Sequence, residues 1–260
     1  MIPAIDARAL VRARSGVKRA LASRLHRRAL TVAPAQPLVS FSFDDAPRSA
    51  FDTGARVLER HGLRGTYYVS LGLLGQPGPS GCLGRVEELR AAVAAGHELG
   101  CHTHDHLDAW QVRPAEYLAS VEANAQALQR LLPGQRFETF AYPKSGAVAA
   151  VKPALARRFL ACRHGGQHGN AGLVDRDLLA ACFLDRQQHA DLSFLRHLLE
   201  DNARRRGWLI FATHDVALHP SPWGCTPAFL EAVVRHALRT GSRILPVREA
   251  LRAAAPSQLA

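Results

Sequence analysis

The sequence predicts an α/β protein built on a mostly parallel sheet, open or closed into a barrel. Three observations carry that prediction. Short apolar runs alternate with helical repeats along most of the chain. A length of 260 residues with 47% hydrophobic content suits one barrel-sized core. Four polar clusters each follow a strand-like run, and α/β barrels gather their functional groups at the carboxyl ends of strands.

The elements follow in order. Residues 5–31 read as a basic helix. Leu10, Val17, Leu21 and Leu25 recur at near-helical spacing, surrounded by Arg14, Lys18, Arg19, Arg24, Arg27 and Arg28, and Pro34 and Pro37 end the run. Residues 1–36 are therefore an N-terminal helical extension, and 37–260 the main domain. The helix either packs on that domain or lies on an anionic lipid surface. Strands are expected at 38–43, 66–69, 98–101, 139–142, 159–162, 179–183, 208–213 and 243–245. Helices are expected at 53–61, 86–95, 114–132, 148–158, 192–205, 226–238 and 246–253. Gly62 and Gly96 are placed to end two helices and Pro133-Gly134 stops a third, while Thr226-Pro227 is an N-cap followed by an N1 proline.

Composition narrows the partners. The net charge is +11, and 30 of the 33 basic residues are arginine. The arginines are spread along the chain and no nucleic-acid-reading motif accompanies them, so no nucleic-acid partner is expected. An anionic partner, a membrane surface or a phosphorylated substrate, fits the charge. No apolar run reaches about 18 residues, and no apolar signal core follows the basic amino terminus. The expectation is a cytoplasmic protein, peripheral at the inner membrane face if the basic helix binds lipid. Five scattered cysteines without a C-x-x-C pair indicate neither a disulfide framework nor a structural zinc site.

Two strings carry chemistry. Phe41-Ser42-Phe43-Asp44-Asp45 ends a strand with two carboxylates, and His102-Thr103-His104-Asp105-His106 spaces two imidazoles four apart. That spacing places both imidazoles on one face of a helical turn. Asp45, His102 and His106 would hold a divalent cation with open positions for water and substrate. Asp44 is then free to act as a base, and His214, in Phe211-Ala212-Thr213-His214, as an acid. His104 should point away. Plainer readings stand beside these: histidines in the core or on the surface, an Asp-Asp-Ala-Pro turn, and a hydrogen-bonded histidine at a strand end.

In their order, these motifs resemble the polysaccharide deacetylases, carbohydrate esterase family 4, the NodB-homology domain. Phe41-Ser42-Phe43-Asp44-Asp45 is similar to the family's T-F-D-D motif, and 96–106 to G-H-E-I-G-x-H-[ST]-x-x-H. Phe140-Ala141-Tyr142-Pro143 resembles the third motif, and 209–214 the final strand-plus-histidine. The resemblance implies a distorted (β/α)7 barrel and a zinc-preferring site at Asp45, His102 and His106, for which Co, Mn and Ni are alternatives. It also implies hydrolysis of an N-acetyl group on an amino sugar, with Asp44 as base and His214 as acid. The oxyanion donor would be a backbone N–H after Tyr142-Pro143, that of Lys144.

The chain departs from the family pattern in places. Ala46 and Pro47 follow the Asp pair, and the R-x-P-Y arginine that often holds the base is missing. Arg163, in Ala161-Cys162-Arg163, is the candidate replacement partner for Asp44. Trp223 either stacks on a sugar ring or anchors its loop. The substrate would be an N-acetylated amino sugar in a polysaccharide or in its lipid- or nucleotide-linked precursor. The competing readings are a hydrolase of a non-sugar amide or imide, and a non-catalytic module binding glycan or anionic lipid.

Overall fold

A computed structural model describes residues 7–185 and 191–255. Its elements are α1 (Ala7–Arg24), β1 (Ala29–Val32), β2 (Leu38–Phe43), α2 (Ala55–Glu59), β3 (Thr66–Val69), β4 (Pro77–Gly78), β5 (Gly81–Cys82), α3 (Val86–Ala94), β6 (Glu98–Cys101) and α4 (Pro114–Leu131). There follow β7 (Thr139–Ala141), α5 (Lys152–Arg158), β8 (Ala161–Gly165), β9 (Gly172–Asp175), β10 (Leu179–Phe183), α6 (Leu192–Arg205), β11 (Trp208–Thr213), α7 (Pro227–Arg239), β12 (Arg243–Ile244) and α8 (Val247–Ala254).

Seven parallel strands close into a barrel in the order β2-β3-β6-β7-β8-β10-β11, and β11 returns to β2 in register from Trp208–Leu38 to Thr213–Phe43. The distortion has two sources. No helix connects β8 to β10; β9 intervenes instead and pairs antiparallel with β1. At the base, β12 pairs with Leu38 and Val39, while β3 reaches only Ser42 and Phe43. A short eighth strand thus wedges between two members of the ring.

Alternation along the strands sorts the core into two sets. Val39, Phe41, Phe43, Tyr67 and Cys101 belong to the apolar layer under the helices. Leu38, Ala161, Leu179, Ala181, Trp208 and Ile210 belong to a second cluster with α8, which plugs the base. Polar groups inside the barrel satisfy one another. The Trp208 indole donates to Ser40 Oγ at 3.0 Å, and Thr66 and Thr139 donate to the Glu98 carboxyl at 2.8 and 2.5 Å. The first turn of α8 closes this network, Val247 N–H donating to Thr66 and Arg248 N–H to Glu98, each at 2.9 Å.

Several boundaries differ from expectation. The basic helix stops at Arg24, and residues 5 and 6 lie outside the described residues. His26 takes a left-handed φ of 50°, which no helix continues. The chain then forms β1, whose Leu30 and Val32 are buried against the barrel base. Arg28 pins the junction: its guanidinium pairs with Asp177 and donates to the Ala156 and Phe159 carbonyls. From Ala22 to Val32, the stretch expected to be part of an N-terminal extension is therefore sewn into the barrel. Lys152, fully buried, reinforces it by donating to the Ala22 and Leu25 carbonyls and pairing with Asp175 at 2.6 Å. Val17 and Leu21 on α1, and Leu25 just after it, remain exposed. The strand expected at 159–162 begins instead at Ala161, because Phe159 caps α5 with extended dihedrals. Among the described residues no helix is long and apolar enough to cross a membrane.

Candidate active site

The carboxyl ends of the strands open on a cleft of about 440 Å³ whose lining includes Asp44, Asp45, His102, His106 and His214. Asp44 continues β2, its N–H donating to the Thr213 carbonyl at 2.8 Å. The chain then turns through two left-handed residues, Asp45 (φ 57°) and Ala46 (φ 48°). That turn, which a non-glycine residue adopts only when its surroundings over-determine it, gives the two carboxylates different partners, Arg163 for Asp44 and the two histidines for Asp45.

The two histidines do not sit on a helical turn, as their spacing suggested. Residues 102–107 form an irregular loop in which Thr103 and His106 are left-handed, at φ 60° and 53°. The Thr103 hydroxyl accepts the Leu107 N–H, and Ser120 on α4 binds Asp105 and the His104 N–H. His104 pairs with Asp105 and packs against Gly72, away from the cleft. The loop still brings the ring nitrogens together: Asp45 Oδ1 lies 3.1 Å from His106 Nε2 and 3.7 Å from His102 Nε2.

This trio fits a divalent cation on its own geometry. The three donor atoms lie within 4.8 Å of one another, and Asp45 Oδ1 is buried with no hydrogen-bond partner. Burial, with His106 beside it, pushes the His102 pKa down to about 3, so its imidazole is neutral near pH 7. Its Nδ1 lies 2.8 Å from the Ala141 carbonyl, which fixes the proton there and turns the Nε2 lone pair toward Asp45. Burial alone would raise the Asp45 pKa; His106, His102, His214 and Lys144 outweigh it and hold it below the ordinary value.

Asp44 is held by Arg163. The two side chains form an ion pair at 5% and 1% exposure, inside the top of the barrel. The guanidinium also lies 4.4 Å over the Tyr68 ring. Gly100 makes room for that ring, since a Cβ there would stand 2.4 Å from it. The sequence thus builds a stack, Gly100 under Tyr68 under Arg163, that aims one charge at Asp44. Burial lowers the Arg163 pKa, and the adjacent carboxylate keeps the guanidinium charged.

His214 ends β11. Its Nδ1 lies 3.2 Å from the Trp223 carbonyl, which also accepts the His214 N–H, and the ring stacks on Phe183 at 6.1 Å. Burial lowers its pKa, while Asp45 and the Trp223 carbonyl partly offset that effect. The loop carrying Trp223 folds around Asp215, whose carboxylate takes the Ser221 N–H and hydroxyl. Trp223 therefore both braces His214 through its backbone and presents its half-buried ring to the cleft. Tyr142 and Lys144 also line the cleft; Pro143 is buried, does not line it, and opens a turn in which Lys144 and Ser145 are left-handed. Asp185, just past β10, lines the cleft and bears electrostatically on His214. No motif in the sequence marks it; only its place after a strand could have.

Comparison with known proteins agrees with this architecture. Residues 31–158 match the family described as Polysaccharide deacetylase. A stretch of 104 residues, 40% of this chain, is 30% identical to a gellan lyase of Bacillus sp.. The chain spans about 4% of that protein's length. The chitin deacetylase of the fungal pathogen Colletotrichum lindemuthianum superposes with a TM-score of 0.62 at 17% identity, over 85% of this chain and 90% of that one. A CE4 family pseudoenzyme of Bacillus anthracis superposes with a TM-score of 0.59 at 13% identity, over 84% of this chain and 66% of that one. The matched stretch runs from β1 to α5 and contains both strings that build the trio, so residues 31–158 belong to the polysaccharide deacetylase family, and the whole barrel shares the fold of the solved chitin deacetylase.

Proposed function

We propose that the chain is a metal-dependent hydrolase that removes the N-acetyl group of an amino sugar. The observation that carries this reading is the meeting, in one cleft, of the Asp45–His102–His106 trio with an arginine-clamped Asp44 and a braced His214. A binding module needs no such base and acid. A divalent cation in the trio, zinc by preference, supplies Lewis-acid polarisation of the acetyl carbonyl and makes water more acidic. Asp44, paired with Arg163, takes a proton from the attacking water. The Lys144 backbone N–H would donate a hydrogen bond to the carbonyl oxygen as charge develops on it. His214, its Nδ1 committed to Trp223, donates from Nε2 to the departing amine. Water and the amide are thereby converted to acetate and a free amino sugar. Trp223 and Phe183 offer aromatic faces to the sugar ring.

The test is acetate release from N-acetylglucosamine oligomers by the zinc-loaded chain. Asp44→Asn is expected to lower kcat about 10²–10⁴-fold with metal content unchanged, and chelation to abolish turnover. Release that survives both changes overturns the reading. Turnover of simple amides or imides in place of sugars would move the same machinery to another substrate class. The basic sequence of the 5–31 stretch and the exposed Val17, Leu21 and Leu25 support a contact with an anionic membrane surface. Cosedimentation with anionic but not zwitterionic vesicles is the expected result.

A further inference from the structure

A second, larger cavity of about 800 Å³ adjoins the cleft, between α1, the 144–147 turn and the end of β8. The two share Lys144, Ser145 and Phe183, so the Lys144-Ser145 turn is the sill between them. The cavity's charge is one-sided. Arg19, Arg27 and Lys144 line it, with the imidazoles of His164 and His168. Its single carboxylate, Asp175, is already engaged by Lys152 Nζ and by the Arg28 and Asp177 N–H groups. Among the described residues, neither the Arg27 guanidinium nor the His164 ring makes a hydrogen bond or ion pair with the protein. His164 feels the excess: burial, then His168, Arg163 and Arg19, push its pKa down to about 4.

The wall that supplies the arginines is built. Lys152 fixes the C-terminal turn of α1, Lys18 donates to the Trp110 carbonyl at 2.7 Å, and Arg19 lies 5.2 Å over the Trp110 ring. Arg19 and Arg27 fall before residue 31, where the family match begins. A neutral glycan would want aromatic platforms and paired acceptors along its path; this path offers cations.

We infer that this cavity binds the phosphate or diphosphate of a phosphorylated amino sugar whose acetamide lies in the adjoining cleft. The inference rests on the deacetylase reading for the acetamide and stands independently of it for the phosphate. A planar guanidinium fork at Arg27 and a second at Arg19 suit phosphate oxygens, and Lys144 at the sill can reach a group bridging both spaces.

The experiment compares the zinc-loaded full chain with an Arg19→Gln/Arg27→Gln double variant. Titration with N-acetylglucosamine 1-phosphate is expected to show binding weakened at least tenfold in the variant. Binding equal in the two proteins is binding at the metal trio and overturns the proposal. For acetate release, phosphorylated substrates should exceed a neutral N-acetylglucosamine oligomer at least tenfold in kcat/KM. The double variant should lose that advantage through KM while its rate on the neutral oligomer is unchanged. An Arg19→Lys/Arg27→Lys variant, which keeps the charge, should recover most of the binding and separates charge loss from misfolding. A nucleoside-diphosphate sugar and a short polyprenyl-diphosphate sugar form two further arms, and preference for either identifies the source of the phosphate. If no substrate releases acetate, the deacetylase reading fails, and the binding titration still decides the cavity.

Discussion

Removing Arg163 would leave Asp44 as an unpaired charge at a position that is almost closed to water. Breaking a buried pair this way costs about 3–5 kcal/mol. Arg163→Ala should therefore lower both the thermal midpoint and turnover, with metal content intact; turnover at the wild-type level would remove Arg163 from the mechanism. Arg163→Lys restores charge without the planar fork and should recover stability better than rate. One layer deeper, Gly100→Ala drives a methyl into the Tyr68 ring and tilts the platform beneath Arg163. Its expected signature is a fall in kcat with a smaller change in KM, read by steady-state kinetics. The sequence offered Arg163 as a candidate partner for Asp44, and β8 carries it to an ion pair with that carboxylate. The Tyr68–Gly100 support was not legible, since nothing in a strand's sequence states which ring will lie under which guanidinium.

At the level of elements, Lys152 is the tie between α1 and the barrel. Lys152→Met removes the ammonium that serves the Ala22 carbonyl in α1, the Leu25 carbonyl just after it, and Asp175. Faster tryptic cleavage around Arg24 and Arg27 is the expected outcome, and an unchanged digestion pattern would contradict it. Strands were legible wherever an apolar run met a helix of clear periodicity, as at Leu38–Phe43 and Trp208–Thr213. The β1–β9 pair was not: Ala29–Val32 follows a basic helical repeat without a break, and Gly172–Asp175 is short and mostly exposed. The histidine spacing predicted that His102 and His106 converge, and they do, but not by the route assumed. The i, i+4 rule assumes a helix, and the loop reaches the same convergence with two left-handed residues.

For the whole molecule, acid should be the weak side. His102, His164, His97 and His214 all have pKa values lowered by burial, to about 3 and about 4 for the first two. Between those values and the unfolded value near 6.5, the unfolded chain binds more protons, so stability rises with pH. Each such histidine contributes a slope of up to about 1.4 kcal/mol per pH unit. Glu98 acts in the opposite sense, because burial raises its pKa and the folded chain keeps a proton the unfolded chain releases above about 4.5. His236 is lowered by burial as well, so with five groups against one the metal-free protein should melt lower at pH 5.5 than at 7.5, and Glu98→Gln should steepen the difference. A flat or inverted calorimetric profile would refute this balance.

The closure of β11 on β2 also governs how the chain is made. Ser42 waits for a partner 169 residues further on, and the base waits longer still for β12 and α8. At ribosomal rates of about 5–20 residues per second, β2 leaves the ribosome roughly 10–30 s before the strand that seals it. For that interval a buried, apolar strand has an open edge, the condition that invites pairing with a neighbouring nascent chain. The seam that gives the finished barrel its continuity is thus the step at which its synthesis depends most on protection by chaperones.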